Sequence, residues 1–155
     1  MSSKILVCDQ AKCSGCRSCE IWCGFHHFQV CNPALGRLKI TPYEDKGEFV
    51  PVACNHCTEP WCVNECPADA ISRDEETGAV VIEEELCTGC LACVDACPFG
   101  VIRIGPDGGV FKCDLCGGSP VCVWSCTRGA ITYAEASQEY LDKLTSQAGR
   151  TGGKV

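Results

Sequence analysis

Cys87-Thr88-Gly89-Cys90-Leu91-Ala92-Cys93-Val94-Asp95-Ala96-Cys97-Pro98 decides how the rest of the chain is read. Its cysteines follow an x2, x2, x3 spacing and a proline closes the run. Working outward, the same plan recurs three more times. Cys13, Cys16, Cys19 and Cys23 keep the spacing, with Gly24 in place of the proline. Cys54, Cys57, Cys62 and Cys66 follow x2, x4, x3 and end on Pro67, and Cys113, Cys116, Cys122 and Cys126 follow x2, x5, x3 before Thr127. Internal repetition of this kind marks repeated structural units. Sixteen of the 18 cysteines are used, leaving Cys8 and Cys31. In motifs two, three and four an isoleucine (Ile71, Ile102, Ile131) stands five residues after the last cysteine and opens a short β-like run. Motif one continues Gly24-Phe25-His26-His27-Phe28 instead.

Hairpin signals join the motifs. Residues 70–73 and 79–82 flank the turn-forming Asp74-Glu75-Glu76-Thr77-Gly78, and residues 101–104 and 110–112 flank Gly105-Pro106-Asp107-Gly108-Gly109. Residues 38–40 and 49–52 predict a third hairpin around Glu44 to Gly47. The segments after Cys62 and Cys93 have room for one or two helical turns. Residues 135–147 predict a short amphipathic helix with Tyr140, Leu141 and Leu144 on one face, before an unstructured end from Gly149. That tail either packs on its own domain or docks on a partner.

Such cysteine density has three ordinary explanations: disulfides, zinc, or iron–sulfur ligation. Without the thiols only about a third of the residues are apolar, so metal ligation has to supply part of the folding free energy. Residues 1–9, MSSKILVCD, carry no export signal, and no apolar stretch reaches the roughly 20 residues of a membrane span. The expected compartment is the cytoplasm, where disulfide scaffolds are rare, and no membrane insertion is expected. The formal charge of −7 disfavours nucleic acid as a partner. Four [4Fe–4S] cores, each carrying −2 with its thiolates, would add about −8 and favour a basic docking face.

The spacing speaks for iron. A cubane presents four irons at the corners of a tetrahedron, each needing one soft thiolate. Three cysteines at x2, x2 intervals cap three corners, and in the bacterial run C-x2-C-x2-C-x3-C-P the fourth ligates the other cluster of a pair. Structural zinc usually joins two knuckles a dozen or more residues apart. Cys54/Cys57 and Cys113/Cys116 could form such knuckles, but zinc leaves the repeated x3 cysteine unexplained.

With the motifs laid out, the chain resembles the polyferredoxin iron–sulfur subunits of molybdenum- and tungsten-pterin oxidoreductases, the group of dimethyl sulfoxide reductase, formate dehydrogenase and nitrate reductase. The resemblance lies in Cys54-Asn55-His56-Cys57-Thr58-Glu59-Pro60-Trp61-Cys62 and Lys112-Cys113-Asp114-Leu115-Cys116, and covers about residues 4 to 135. It implies an α+β fold of tandem bacterial 2[4Fe–4S] ferredoxin-like modules, one inserted in the other, with short β-hairpins and short helices. Residues 1–48 plus 106–134 would form the outer module, 49–105 the inserted one, and 135–155 a C-terminal tail. The implied ligand sets for four [4Fe–4S] clusters are Cys13, Cys16, Cys19, Cys126; Cys113, Cys116, Cys122, Cys23; Cys54, Cys57, Cys62, Cys97; and Cys87, Cys90, Cys93, Cys66. The implied partner is a large catalytic molybdenum or tungsten subunit, with a flavin or ferredoxin protein as a further redox partner and self-association open. Small subunits of this kind resemble those accompanying tungsten aldehyde oxidoreductases, soluble formate dehydrogenases or hydrogenases.

Around the ligands, Cys8 and Cys31 read as bystanders, and His26 and His27 as surface or partner-facing residues. His56 reads as a hydrogen-bonding neighbour, with cluster or backbone as its partner. Lys112 and Arg128 read either as charges that raise a cluster potential or as solvated charges. Trp22, Trp61 and Trp124 read as shields against water. No nucleophile–base pair, nucleotide loop or open metal site is visible, so the chain reads as a non-catalytic electron-transfer subunit. The rivals are a free diffusible polyferredoxin and a zinc-stabilised interaction module without a redox role.

Overall fold

The computed structural model describes residues 4–147, with side-chain surroundings as far as residue 143. The stretch from Gly149 onward lies outside the described residues. Eight strands pair into four two-stranded antiparallel ribbons. β1 (Lys4–Cys8) pairs with β8 (Ile131–Glu135), setting Cys8 opposite Ile131 and Lys4 opposite Glu135. The other three ribbons are local hairpins: β2 (Lys39–Tyr43) with β3 (Glu48–Val52), β4 (Ile71–Arg73) with β5 (Val80–Ile82), and β6 (Arg103–Ile104) with β7 (Val110–Phe111). All three stand where turn chemistry predicts them, although the last is only two residues a side. The fold is a small ferredoxin-like one of short strands and short helices.

Of the five α-helices among the described residues, the first four carry motif cysteines. α2 (Trp61–Asn64), α3 (Ala92–Ala96) and α4 (Val121–Ser125) are single turns. Proline limits the first two directly: Pro67 and Pro98 follow Cys66 and Cys97, and a residue before proline is driven out of the helical region. Cys97 accordingly adopts φ −76°, ψ 112°. α1 (Ser18–Phe28) is different, running 11 residues because Gly24 replaces the terminating proline. It ends on Gln29 in the left-handed region, whose N–H donates to the Phe25 carbonyl. Gly24 is required by packing: a Cβ there would lie 2.7 Å from the Asn32 carbonyl oxygen. α5 (Gln138–Gln147) begins three residues later than the sequence pattern implies, because Glu135 completes β8. It folds back on its own domain, with the Cys8 N–H donating to the Tyr140 hydroxyl at 2.9 Å.

Two apolar groups form the core. One joins Leu6, Leu38, Ile40, Leu115 and Ile131 with the buried cysteines 19, 23, 54, 113 and 122. The other gathers Ile71, Val80, Ile102 and Val110 around Cys93. All three isoleucines of the repeat are buried in these groups. An acid anchors the first: Glu20 on α1 is fully buried. Its Oε1 accepts the Ile40 N–H at 2.7 Å and its Oε2 meets Arg17 Nε at 2.5 Å, tying α1 to β2. Glu20→Ala strands a buried N–H at a cost of about 1–3 kcal/mol. Glu20→Gln keeps an acceptor for Ile40 and should lose less. Anaerobic thermal melts of the two variants, compared with the parent, check this ordering.

Candidate metal centres

One backbone device recurs at every motif. The residue before the second cysteine is left-handed in all four: Gly15 (φ 71°), His56 (46°), Gly89 (68°) and Leu115 (58°). In motifs one, two and three the first two cysteines of the loop line one cavity. Glycine takes the conformation freely, whereas His and Leu adopt it against their preference. At Gly15 a Cβ would also sit 2.5 Å from the Phe49 ring. A second left-handed residue stands three positions after the last cysteine of motifs two, three and four, at Asp69 (49°), Gly100 (61°) and Gly129 (63°). It ends the loop and leads into the isoleucine. In motifs two and four the following N–H, of Ala70 or Ala130, donates to Cys66 or Cys126 Sγ at 3.3 Å. Cys23 receives the Arg37 N–H at 3.2 Å instead.

Three cavities open among these loops. One, of 350 Å³ counted out to its mouth, is lined by Cys54, Cys57, Cys62 and Cys97 together with His56 and Lys112. A second, of 310 Å³, is lined by Cys66, Cys87, Cys90 and Cys93. The third, of 330 Å³, is lined by Cys13, Cys16, Cys19 and Cys126. The remaining four ligand candidates are electrostatic neighbours: the Cys122 thiol is pushed up first by burial and then by Cys113, Cys23 and Cys116.

Burial raises the thiols throughout. Desolvation lifts Cys19 to about 12 and Cys23, Cys57 and Cys93 to about 11, and also raises Cys62, Cys113, Cys116 and Cys122. Neighbouring thiolates add to the effect, and backbone N–H groups such as that of Leu115 at Cys113 oppose it. A soft cation is the natural compensation for such thiolates. A single zinc ion holds its sulfurs about 2.3 Å from the metal, which places them within about 4 Å of one another. Among the described residues, the group of three or more donors that all lie within 4.8 Å of one another is His26, His27 and Cys116, not a cysteine quartet. No cysteine quartet among the described residues closes to the spacing that one zinc ion imposes. All 18 cysteines are free thiols, which leaves the disulfide framework without a bond.

The comparisons agree. The family model of the 4Fe-4S dicluster domain matches residues 46–136. The chain belongs to that family. It is an iron–sulfur electron-transfer protein that carries several [4Fe–4S] clusters. Among relatives of this dicluster protein, the polyferredoxin-like subunit of aliphatic sulfonate oxidoreductase from Pyrococcus furiosus is 48% identical over 116 residues, 74% of this chain and 66% of the relative. One subunit of the anaerobic dimethyl sulfoxide reductase of Escherichia coli is 32% identical over 146 residues, 81% of this chain and 70% of the relative. In solved structures, a polypeptide of the BamBC active-site complex of benzoyl coenzyme A reductase with benzoyl-CoA aligns at TM-score 0.50 and 27% identity, covering 97% of this chain and 93% of its own. The resemblance to iron–sulfur subunits of molybdenum and tungsten oxidoreductases holds.

Residues beside the ligands depart from several expectations. His27 is not a surface residue: its side chain is 10% exposed, with Nε2 3.7 Å from Cys116 Sγ and 3.5 Å from Asp114 Oδ1. Burial, then Arg37, lowers it to about 4. Lys112 is buried at 3% exposure, which removes the solvated-charge reading, whereas Arg128 is exposed. The tryptophans are poor shields, with Trp22, Trp61 and Trp124 exposed at 41%, 50% and 69%. Cys31 is exposed and Cys8 half-buried. Burial pushes the Cys8 thiol up to about 12, against the lowering effect of Tyr140. A raised thiol pKa keeps the neutral form dominant well above neutrality, and the neutral form is not the nucleophile. Iodoacetamide at pH 7 to 9 should therefore alkylate Cys31 in the anaerobic loaded protein and leave Cys8 unmodified, as peptide mass spectrometry can check.

Proposed function

We propose that the chain relays electrons through four [4Fe–4S] clusters, between a catalytic molybdenum- or tungsten-pterin subunit and a second redox partner. When bound, the clusters supply one-electron chemistry without bond making at substrate. The protein's residues ligate, space and desolvate them. The proposed ligand sets are Cys13, Cys16, Cys19, Cys126; Cys23, Cys113, Cys116, Cys122; Cys54, Cys57, Cys62, Cys97; and Cys66, Cys87, Cys90, Cys93.

The observation that carries this reading is how the quartets adjoin. Cys122 is raised in part by the charge of Cys19, Cys113 by Cys54, and Cys93 by Cys62, after burial in each case. These electrostatic couplings support a single row of the four sets in the order given above. Cys16 and Cys90, the exposed ligand candidates, belong to the first and last sets, while the two middle sets have none. A row that is wet at its ends and dry in its middle suits transfer between two partners. The pairing of β1 with β8 supports an outer module of residues 1–48 plus 106–134 closing around an inserted one of 49–105. An exposed aromatic group supports a stable partner over a diffusible carrier: Trp22 packs against Trp124 at 4.8 Å and Phe25 at 6.2 Å. The relatives' names point to an oxidoreductase complex, for which we propose the cytoplasm. No helix among the described residues is long and apolar enough to cross a membrane.

Anaerobic isolation tests the reading through iron and acid-labile sulfide, expected near about four of each per quartet. Cys97→Ser should remove the signal of the motif-two cluster while sparing that of motif three. Loss confined to the motif-three cluster would refute the crossed ligand sets.

A further inference from the structure

Between the second and third quartets of the row lies a buried cation with no carboxylate beside it. Lys112 precedes Cys113 in sequence and lines the cavity of Cys54, Cys57, Cys62 and Cys97. Its Nζ donates to the carbonyl of Val80 and, at 3.2 Å, to that of Cys113. The ion pairs found among the described residues engage Lys12, Arg17, His27 and Arg37, not Lys112. A buried ammonium that lacks an anion is strongly unfavourable. The anion within its reach is the sulfur of the cavity it lines.

The same cavity holds a donor without an acceptor. His56, 4% exposed, accepts the Val80 N–H on Nδ1 at 2.9 Å. Accepting at Nδ1 leaves that nitrogen without a proton and the ring neutral. A neutral ring that accepts on Nδ1 carries its proton on Nε2. That Nε2 is buried and has no partner. A single residue, Val80, thus fixes both groups, its carbonyl holding Lys112 and its N–H holding His56.

Among the described residues no other quartet has a buried cation without an anion beside it, although His27 Nε2 stands 3.7 Å from Cys116 Sγ at the Cys23 quartet. Alanine, isoleucine, leucine, valine and threonine complete the lining of the Cys66, Cys87, Cys90, Cys93 cavity, with no charged side chain. Around the Cys13 quartet, Arg17 is half-exposed and paired with Glu20, and Arg128 is exposed. Beside Cys23, Arg37 is paired with Asp114 at 2.8 Å; its Nε is the other buried donor without a partner, on a guanidinium already neutralised.

We propose that Lys112 and His56 make the Cys54, Cys57, Cys62, Cys97 centre the highest-potential member of the row. The proposal rests on the relay reading above. Reduction adds one negative charge to a centre, so an adjacent buried cation and an unpartnered buried N–H on a residue lining the same cavity both favour the reduced form. The electron comes from the partner subunit and no bond is made or broken. An electron entering at either end would come to rest at this interior site.

The test is an anaerobic, EPR-monitored redox titration of the full chain and three variants. Lys112→Met keeps the aliphatic stem and removes the charge. His56→Asn offers an amide oxygen to Val80, tolerates the left-handed backbone and removes the Nε2 donor. Lys112→Arg restores the charge. The highest midpoint should fall in Lys112→Met and in His56→Asn, with iron content unchanged, and stay nearest the parent in Lys112→Arg. An unmoved highest midpoint, or movement of a lower one in its place, overturns the proposal and leaves the relay intact. Should Lys112→Met lose iron, His56→Asn decides alone. Iron content of the parent, measured first, shows separately whether the relay reading fails.

Discussion

Four sulfurs turned into one apolar cavity repel one another as thiolates and forfeit the water that would stabilise them. Every loop around the quartets is shaped by this conflict. Without a metal the thiols hold their protons, as the upward shifts at Cys19, Cys57 and Cys93 record. Loading therefore expels protons and exchanges mutual repulsion for ligation, which makes the inorganic group part of the fold's own cohesion. The apolar core is correspondingly lean, and cysteines fill several of its places. The ordering of α1 follows the same logic, since it puts Cys19 and Cys23 inside while Glu20, itself buried, locks the helix to β2.

Backbone geometry does what side chains cannot in such loops. A left-handed residue before the second cysteine recurs in all four motifs despite four different contexts and two different side-chain costs. Where glycine is absent, packing compensates. Leu115 is fully buried in the larger core, and His56 is held by the Val80 N–H. Strain at His56 is thus tied to its position beside the cavity, which connects a local conformational penalty to the electrostatics of a single centre.

Much of this was legible in the sequence because the spacing of soft ligands leaves few alternatives. The cysteine motifs, the three hairpins and the buried isoleucines Ile71, Ile102 and Ile131 all follow from residue types at fixed intervals. What was hidden depends on long-range contact. Glu20 reads as an ordinary helix-surface acid until Ile40, twenty residues away, supplies its N–H. His27 reads as exposed until Cys116 and Asp114 arrive from the far end of the chain. Lys112 offers two readings in sequence, and only the Val80 carbonyl, supplied by a different hairpin, selects the buried one. The length of α1 did carry a local signal, the missing proline at Gly24, which marks continuation of a helix as clearly as Pro67 and Pro98 mark its end.

The antiparallel union of β1 and β8 brings residues 4–8 and 131–135 side by side. Synthesis runs from one end to the other, at about 5–20 residues per second. With the ligand sets proposed above, the first three ligand thiols to leave the ribosome, Cys13, Cys16 and Cys19, wait for Cys126, the last of the sixteen. The inner pair can be completed by Cys97 and so closes earlier. Maturation would then proceed from the middle of the molecule outward, and a truncated or stalled chain would carry its interior metal while its oldest cysteines remained open to oxygen.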